Sequence, residues 1–210
     1  INDMKNNTDH PGKPKLVISN NKNAEGLVFA KQNSIDHFAF NTKKSKDNFA
    51  FEEKTLRILK EKNIDVVCLA GFMKILSENF IKSFSKPILN IHPSLLPLFR
   101  GLNTHHRALK AGCLIHGATV HQITNKVDEG PILGQVVIEI SKNSTPKQLE
   151  KELLPLEHHL YKSILRELLR ESGKKILTIN SAKDIQNSRI SKPEKKKFIS
   201  SLAVSVESEP

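Results

Sequence analysis

The chain has 210 residues, 38% of them hydrophobic, and a formal net charge of +11. This length fits one large domain with a sizeable core, and no apolar run approaches the roughly 20 residues of a membrane span. Its lysines are spread along the chain, which has one Tyr and no Trp. It therefore lacks the basic and aromatic interleaving that stacks on nucleic-acid bases, and we expect neither a membrane nor a nucleic-acid partner.

The positive charge is better explained by a solvated, lysine-rich surface that attracts an anionic small substrate. The two cysteines, Cys68 and Cys113, stand far apart and show no metal-binding or redox spacing. No signal peptide is recognisable at the front of the sequence, so we expect a reducing cytoplasmic location.

The first half of the sequence alternates predicted strands and helices. Strands are predicted at 15–20 and 35–40, helices at 24–33 and 47–63, the second amphipathic, and a strand at 65–72. The last of these is a nearly continuous apolar run with β-branched residues, which is typical of a central parallel strand covered on both faces.

The second half continues this alternation. Helices are predicted at 77–85 with Ser77 as N-cap, and at 104–111 with Thr104 as N-cap, and strands at 88–91, 117–123 and 132–140. The segment 145–148 is a capping box that opens a leucine-striped helix, which Pro155 is expected to break or kink. A terminal strand or extended segment is expected after Gly173.

This order of elements predicts an α/β fold with an open, mostly parallel, Rossmann-like sheet flanked by helices. In such sheets the ligand crevice lies beyond the carboxyl ends of the strands, where segment 70–72 and His92 are expected. We assign residues 1–178 to one catalytic domain and residues 179–210, rich in Lys and Ser, to a flexible tail.

Two short segments carry candidate chemistry. ILNIHPSLLPLFRG places Asn90 and His92 at alternate positions of a short apolar run, and VDEGP places Asp128 before a Gly-Pro turn. In a strand, Asn90 and His92 would leave the same face. An amide donor, a proton-transfer group and an acid that tunes it suit acyl-type chemistry, so we interpret the chain as an enzyme.

The remaining histidines are assigned structural roles. His105 and His106 are read as structural or at the rim of the substrate site, and His121 as a strand-packing residue. His116 and His121 face opposite sides of a strand and cannot share one metal ion.

Six segments in order, CLAGFMKIL, NIHPSLLP, GLNTHHRAL, HGATVHQI, VDEGPILGQ and LEHHLY, closely resemble the glycinamide ribonucleotide formyltransferase family of purine synthesis. The resemblance covers residues 1–168. It implies transfer of a formyl group from the co-substrate 10-formyltetrahydrofolate to the amine of glycinamide ribonucleotide. It also implies the formyltransferase fold, no metal, and a monomer or weak homodimer.

The resemblance further implies the roles of individual residues. It assigns catalysis to Asn90, His92 and Asp128. Its folate-binding residues are Phe72, Met73, Lys74, Ile75, Leu76, Leu89, Thr124, Asn125, Lys126 and Val127. Its substrate-binding residues are Gly71, Ile91, Pro93 and Glu157. Glu157 would hold the ribose hydroxyls of the substrate.

The front of the sequence departs from the family. Family members open with a strand and a glycine-rich turn whose amides hold the substrate phosphate. The first residues of this sequence instead resemble the end of the helix that follows that turn. We expect either a fragment of a longer protein, which we favour, or a degenerate copy. The alternatives that stay open are a formyltetrahydrofolate deformylase-type hydrolase and a non-catalytic folate-binding remnant.

Overall fold

Helices and strands alternate along most of the computed structural model, which describes residues 1–40 and 49–170. The elements in chain order are α1 Asn2–Asn6, β1 Leu16–Ser19, α2 Glu25–Gln32, β2 Asp36–Ala39, α3 Phe49–Glu61, β3 Val67–Cys68, α4 Glu78–Phe84, β4 Ile88–His92, α5 Thr104–Lys110, β5 Ile115–Gln122, β6 Ile132–Glu139 and α6 Pro146–Arg170. The chain divides into two compact units, Ile1–Ile88 and Leu89–Pro210.

In the first unit, β1 and β2 form a parallel pair. Their register runs from Leu16 opposite Asp36 to Ser19 opposite Ala39. Parallel neighbours need a crossover connection, and α2 provides it, with Leu27 and Ala30 buried. This β-α-β order confirms the first two predicted strands and the helix between them.

The predicted strand at 65–72 is much shorter in the structure. Only Val67–Cys68 is a strand, and the Val67 N–H donates to the Pro87 carbonyl at 3.0 Å. Gly71 has a φ of 61°, a left-handed conformation that ends the extended path of the chain. The apolar run therefore continues as a loop rather than as a strand.

The predicted Ser77 cap of α4 is confirmed. Its hydroxyl oxygen accepts a hydrogen bond from the Phe80 N–H at 3.0 Å and its hydroxyl donates to the Glu52 carboxylate. The Ser77 N–H donates to the same carboxylate at 2.8 Å. The buried Glu52 of α3 is thereby satisfied, and it fixes the start of α4.

The second unit contains antiparallel strand pairs. Leu89 to His92 of β4 pair with Gln122 to Thr119 of β5, and β5 pairs with β6 over its length. A mostly parallel sheet was expected. The segment between β5 and β6 is too short to hold a crossover helix, so these two strands run in opposite directions.

The helix α6 continues through Pro155, contrary to the predicted break. The capping box at its start is confirmed, since the Gln148 side chain accepts from the Thr145 N–H at 2.8 Å. Pro155 is exposed, where water can satisfy the carbonyl that loses its partner, while Leu153 and Leu160 on either side are buried. Apolar packing along one face thus keeps the helix whole.

The N-cap of α5 is Asn103 rather than the predicted Thr104, which is its first helical residue. The Thr104 side chain is 2% exposed. The strand or extended segment expected after Gly173 and the tail at 179–210 lie outside the described residues. In the described ranges, no helix combines the length and apolar character that crossing a bilayer requires.

Candidate active site

One face of the β4–β5 pair carries the polar residues of the candidate site. Asn90 and His92 alternate along β4, and the antiparallel register sets them opposite His121 and Thr119 of β5. Directly opposed residues share a face of an antiparallel sheet. The expectation that Asn90 and His92 share a face is therefore met, and β5 adds two further polar side chains.

His92 is held at both ring nitrogens. Its Nε2 lies 3.0 Å from the Phe99 carbonyl oxygen, and its Nδ1 lies 3.4 Å from Asp128 Oδ2. A carbonyl oxygen only accepts, so the hydrogen bond places a proton on Nε2. The Nδ1 edge of the ring is the one that faces the carboxylate.

Asp128 places a carboxylate, 11% exposed, between two imidazoles. Its Oδ2 accepts a hydrogen bond from the Gly101 N–H at 2.9 Å, and its Oδ1 lies 3.6 Å from His121 Nε2. Asp128 has a φ of 52°, and such strained backbone persists only where the surroundings hold it. A Cβ at the neighbouring Gly130 would lie 1.7 Å from the Gln122 carbonyl oxygen, so this close turn requires glycine.

His121 lies beside the predicted site residues, and its place in β5 fits the strand-packing role that the sequence indicated. It is fully buried, its Nδ1 lies 3.2 Å from the Gln122 carbonyl, and its Nε2 lies 3.3 Å from the Asn90 amide nitrogen. Burial lowers its pKa, and nearby Asp128 partly opposes this shift. A neutral ring that donates from Nδ1 and accepts the Asn90 amide at Nε2 fits these contacts.

The structure thus brings Asn90, His92 and Asp128 together, as the sequence predicted. Asn90 contacts His121, and the Asp128 carboxylate lies between His121 and His92, so the amide, the imidazole and the carboxylate are joined by a chain of contacts. This arrangement can stabilise an oxyanion with N–H donors and can move a proton between nitrogen and oxygen.

A second group of titratable residues lies in the same unit. His116 Nε2 is 2.9 Å from His105 Nδ1, and burial lowers the pKa of His116 to about 4, with neighbouring His105 and His92 adding to the shift. Burial also raises the pKa of Glu157 to about 7, and Glu150 adds to this shift.

The proposed folate residues of the first unit form an uneven loop. Met73 and Ile75 are 73% and 67% exposed, whereas Leu76 is buried. The Phe72 ring stacks on Phe51 with centroids 6.2 Å apart. Gly71, assigned to substrate binding, is exposed at the start of this loop.

In the second unit, the other residues assigned to folate or substrate differ in burial. Leu89 is fully buried, and its carbonyl accepts a hydrogen bond from the Tyr161 hydroxyl at 2.9 Å. Val127 is 48% exposed. Asn125 and Lys126 are exposed, and the half-buried members are Ile91, Pro93, Thr124 and Glu157. Within the described part of the chain, no group of three or more His, Cys, Asp or Glu side chains could hold a metal ion.

Comparison with known proteins gives a consistent result. Residues 1–165 match the family described as formyl transferase. A phosphoribosylglycinamide formyltransferase of Haemophilus influenzae is 38% identical over 158 residues, which cover 75% of this chain and 74% of that protein.

Solved structures show the same similarity. A phosphoribosylglycinamide formyltransferase of Brucella melitensis is 38% identical with a TM-score of 0.74, covering 83% of this chain and 88% of the other. The enzyme of that name from Bacillus halodurans is 31% identical with a TM-score of 0.76, covering 85% and 90%. These similarities confirm the predicted α/β fold.

Proposed function

Because the chain belongs to the formyl transferase family, we propose that it transfers the formyl group of 10-formyltetrahydrofolate to the amine of glycinamide ribonucleotide. The observation that carries this proposal is the convergence of Asn90, His92 and Asp128 in the second unit. The names of the similar proteins support the choice of substrate. A cytoplasmic location and a monomer or weak homodimer complete the proposal.

The reaction needs stabilisation of an oxyanion. The substrate amine attacks the formyl carbon, a carbon–nitrogen bond forms, and negative charge develops on the formyl oxygen. The Asn90 amide and the Nδ1–H of a protonated His92 are the donors proposed for that oxygen, because His92 Nε2 is bonded to the Phe99 carbonyl. Loss of one such donor typically lowers kcat by about 100- to 1,000-fold.

The reaction also needs movement of a proton. The attacking amine loses a proton, and N10 of the folate must gain one when its bond to the formyl carbon breaks. Asp128 contacts the Nδ1 edge of His92, so the carboxylate is placed to favour the imidazolium by Coulomb attraction. We assign Asp128 a second role in moving the amine proton towards the leaving nitrogen.

The substrates are assigned to the residues that the family resemblance indicated. In the first unit, the exposed apolar side chains of Met73 and Ile75 suit a flat pterin ring. In the second unit, folate binding is assigned to Leu89 and loop 124–127 on the family resemblance. The Glu157 carboxylate is assigned to the ribose hydroxyls of the ribonucleotide, because a carboxylate accepts hydrogen bonds from paired hydroxyls. Gly71, Ile91 and Pro93 are assigned to the same substrate.

The proposal is tested by measuring release of tetrahydrofolate from 10-formyltetrahydrofolate with and without glycinamide ribonucleotide. We expect turnover that requires the ribonucleotide and that falls at least about 100-fold in Asn90→Ala, His92→Ala and Asp128→Ala. Turnover without the ribonucleotide would indicate a hydrolase instead. No turnover under either condition, with donor binding intact, would indicate a non-catalytic folate-binding protein.

A further inference from the structure

A row of three polar side chains crosses the strands β4, β5 and β6. His92 lies opposite Thr119, and Thr119 lies opposite Gln135. Directly opposed residues in antiparallel strands share a face, so the three side chains lie on the same side of the sheet. Only His92 was singled out by the sequence, yet the structure links it to the other two.

The Thr119 hydroxyl is fully used in hydrogen bonding. It donates to the Ser94 carbonyl at 2.7 Å, and it accepts from the Leu96 N–H at 3.0 Å and from Gln135 Nε2 at 2.9 Å. A hydroxyl has one donor and two acceptor sites, and all three are occupied here. Because Thr119 is fully buried, water cannot replace these partners.

Gln135 extends the same network to the loop that follows β4. Its Nε2 also donates to the Leu96 carbonyl at 3.0 Å. Leu96 is thereby bound at its N–H by Thr119 and at its carbonyl by Gln135. One residue of the loop is fixed by two strands of the sheet.

The fixed loop leads directly to the catalytic side chains. The Ser94 hydroxyl donates to the Leu98 carbonyl at 2.6 Å, and the next residue, Phe99, has a φ of 54°. The Phe99 carbonyl accepts from His92 Nε2 at 3.0 Å. Two residues further on, the Gly101 N–H donates to Asp128 Oδ2 at 2.9 Å.

We propose that Gln135 and Thr119 are positioning residues that hold the Ser94–Gly101 loop so that Phe99 keeps His92 protonated at Nε2, with Nδ1 turned towards Asp128. This inference rests on the proposed function for its effect on turnover, but the ring geometry of His92 can be observed without turnover. Neither side chain touches the reacting atoms in this proposal. Their effect passes through backbone carbonyls.

Two variants remove the network with little change in volume. Gln135→Met removes both amide donors, and Thr119→Val replaces the hydroxyl by a methyl group. Thr119→Ser is the matched control, because it keeps the hydroxyl. We expect kcat to fall about 10- to 100-fold in the first two variants, with KM for both substrates within about threefold of wild type. Thr119→Ser is expected to stay within about threefold in both constants.

The second measurement is the ¹⁵N NMR signature of the His92 imidazole in the folded proteins without substrate. In the wild type and Thr119→Ser we expect a ring whose Nε2 carries a proton. In Gln135→Met and Thr119→Val we expect loss of that fixed pattern, seen as exchange averaging of the two nitrogens. Should Gln135→Met not fold, Gln135→Asn, which keeps the donor but shortens its reach, takes its place.

The outcomes separate this inference from the proposed function. An inactive wild-type protein whose His92 signature depends on Gln135 and Thr119 would contradict the function and support the positioning role. Unchanged His92 signals in both variants would overturn the positioning role, whatever happens to turnover. Full turnover in Gln135→Met and Thr119→Val would overturn it as well.

Discussion

Two pairs of histidines in the second unit differ in what lies beside them. His92 and His121 flank the carboxylate of Asp128 at 3.4 and 3.6 Å. His105 and His116 contact each other at 2.9 Å, and their rings meet edge to face with centroids 4.9 Å apart. One pair of histidines therefore lies beside a carboxylate, whereas in the other pair the two imidazoles contact each other.

The neighbours of each pair have different effects on the pKa of the imidazoles. At His121, burial lowers the pKa but Asp128 opposes the shift. At His116, burial and two neighbouring imidazoles act in the same direction and lower the pKa to about 4. The positive charge of an imidazolium is thus opposed at both residues, and the Asp128 carboxylate offsets part of that opposition at His121. The carboxylate of Asp128, rather than the number of histidines, therefore distinguishes the two pairs.

The largest effect is expected from removing that carboxylate's charge. Asp128→Asn keeps the size of the side chain but no longer favours a charged imidazole, and we expect kcat to fall about 1,000-fold. The pKa of His121 should fall further, because Asp128 raises it. Steady-state kinetics and NMR titration of the histidines measure both effects.

The matched control for this variant is Glu129→Gln, the same change at the next residue. Glu129 pairs with Arg100 at 2.6 Å on the surface, where ion pairs contribute little, and turnover should stay within about threefold of wild type. If Asp128→Asn kept more than about a tenth of the wild-type turnover, the carboxylate of Asp128 would not be what distinguishes the two histidine pairs.

The second prediction concerns His116, whose pKa is lowered by burial and by two neighbouring imidazoles. Because the pKa of His116 in the folded protein, about 4, lies below its ordinary 6.5, the unfolded chain binds more protons between these values. Stability is therefore full above pH 6.5 and falls as the pH drops towards 4. The free energy of unfolding should decrease by about 2 kcal/mol between pH 7 and pH 5.

Urea unfolding at both pH values measures this change, and His116→Gln is the variant to compare. It removes the titrating ring, so its loss of stability over the same interval should be smaller by about 2 kcal/mol. An equal loss in wild type and variant would show that His116 is not the group responsible.

The position of His121 shows what a pattern within one strand can and cannot predict. The period of two in β4 is enough to place Asn90 and His92 on one face, and it did so correctly. Recognising His121 requires the β4–β5 register, which sets it opposite Asn90. Polar residues at alternate positions of β5, Thr119 and His121, are the signal that could have suggested a second polar strand.

Other differences between the predictions and the structure also arise from contacts between segments that are distant in the sequence. Local rules predicted the Ser77 cap and the capping box at Thr145, because both depend on residues three positions apart. The same rules predicted a break at Pro155 that packing of the surrounding leucines prevents. The Phe99 carbonyl that orients His92 comes from a loop held by Gln135 of a later strand, and no local pattern indicates that contact.

The smallest effect on stability is expected at Glu157. Its dependence on pH is opposite in sign to that expected for His116. Burial raises the pKa of Glu157 to about 7, and the nearby Glu150 adds to this rise. The folded protein therefore binds the extra proton between pH 4.5 and 7, so this carboxyl lowers stability as the pH rises through that window. Since the carboxyl is only half-buried, water screens part of the cost, and about 1 kcal/mol is expected at pH 8.

Glu157→Gln should accordingly be more stable than wild type at pH 8 by about 1 kcal/mol and equal to it near pH 4. If Glu157 also holds the ribose hydroxyls, the variant should raise KM for the ribonucleotide while leaving KM for the folate unchanged. Glu152→Gln, an exposed position on the same helix, is the control for both measurements. A gain in stability without a change in KM would confirm that burying the Glu157 carboxylate destabilises the protein. It would also contradict the assignment of Glu157 to substrate binding.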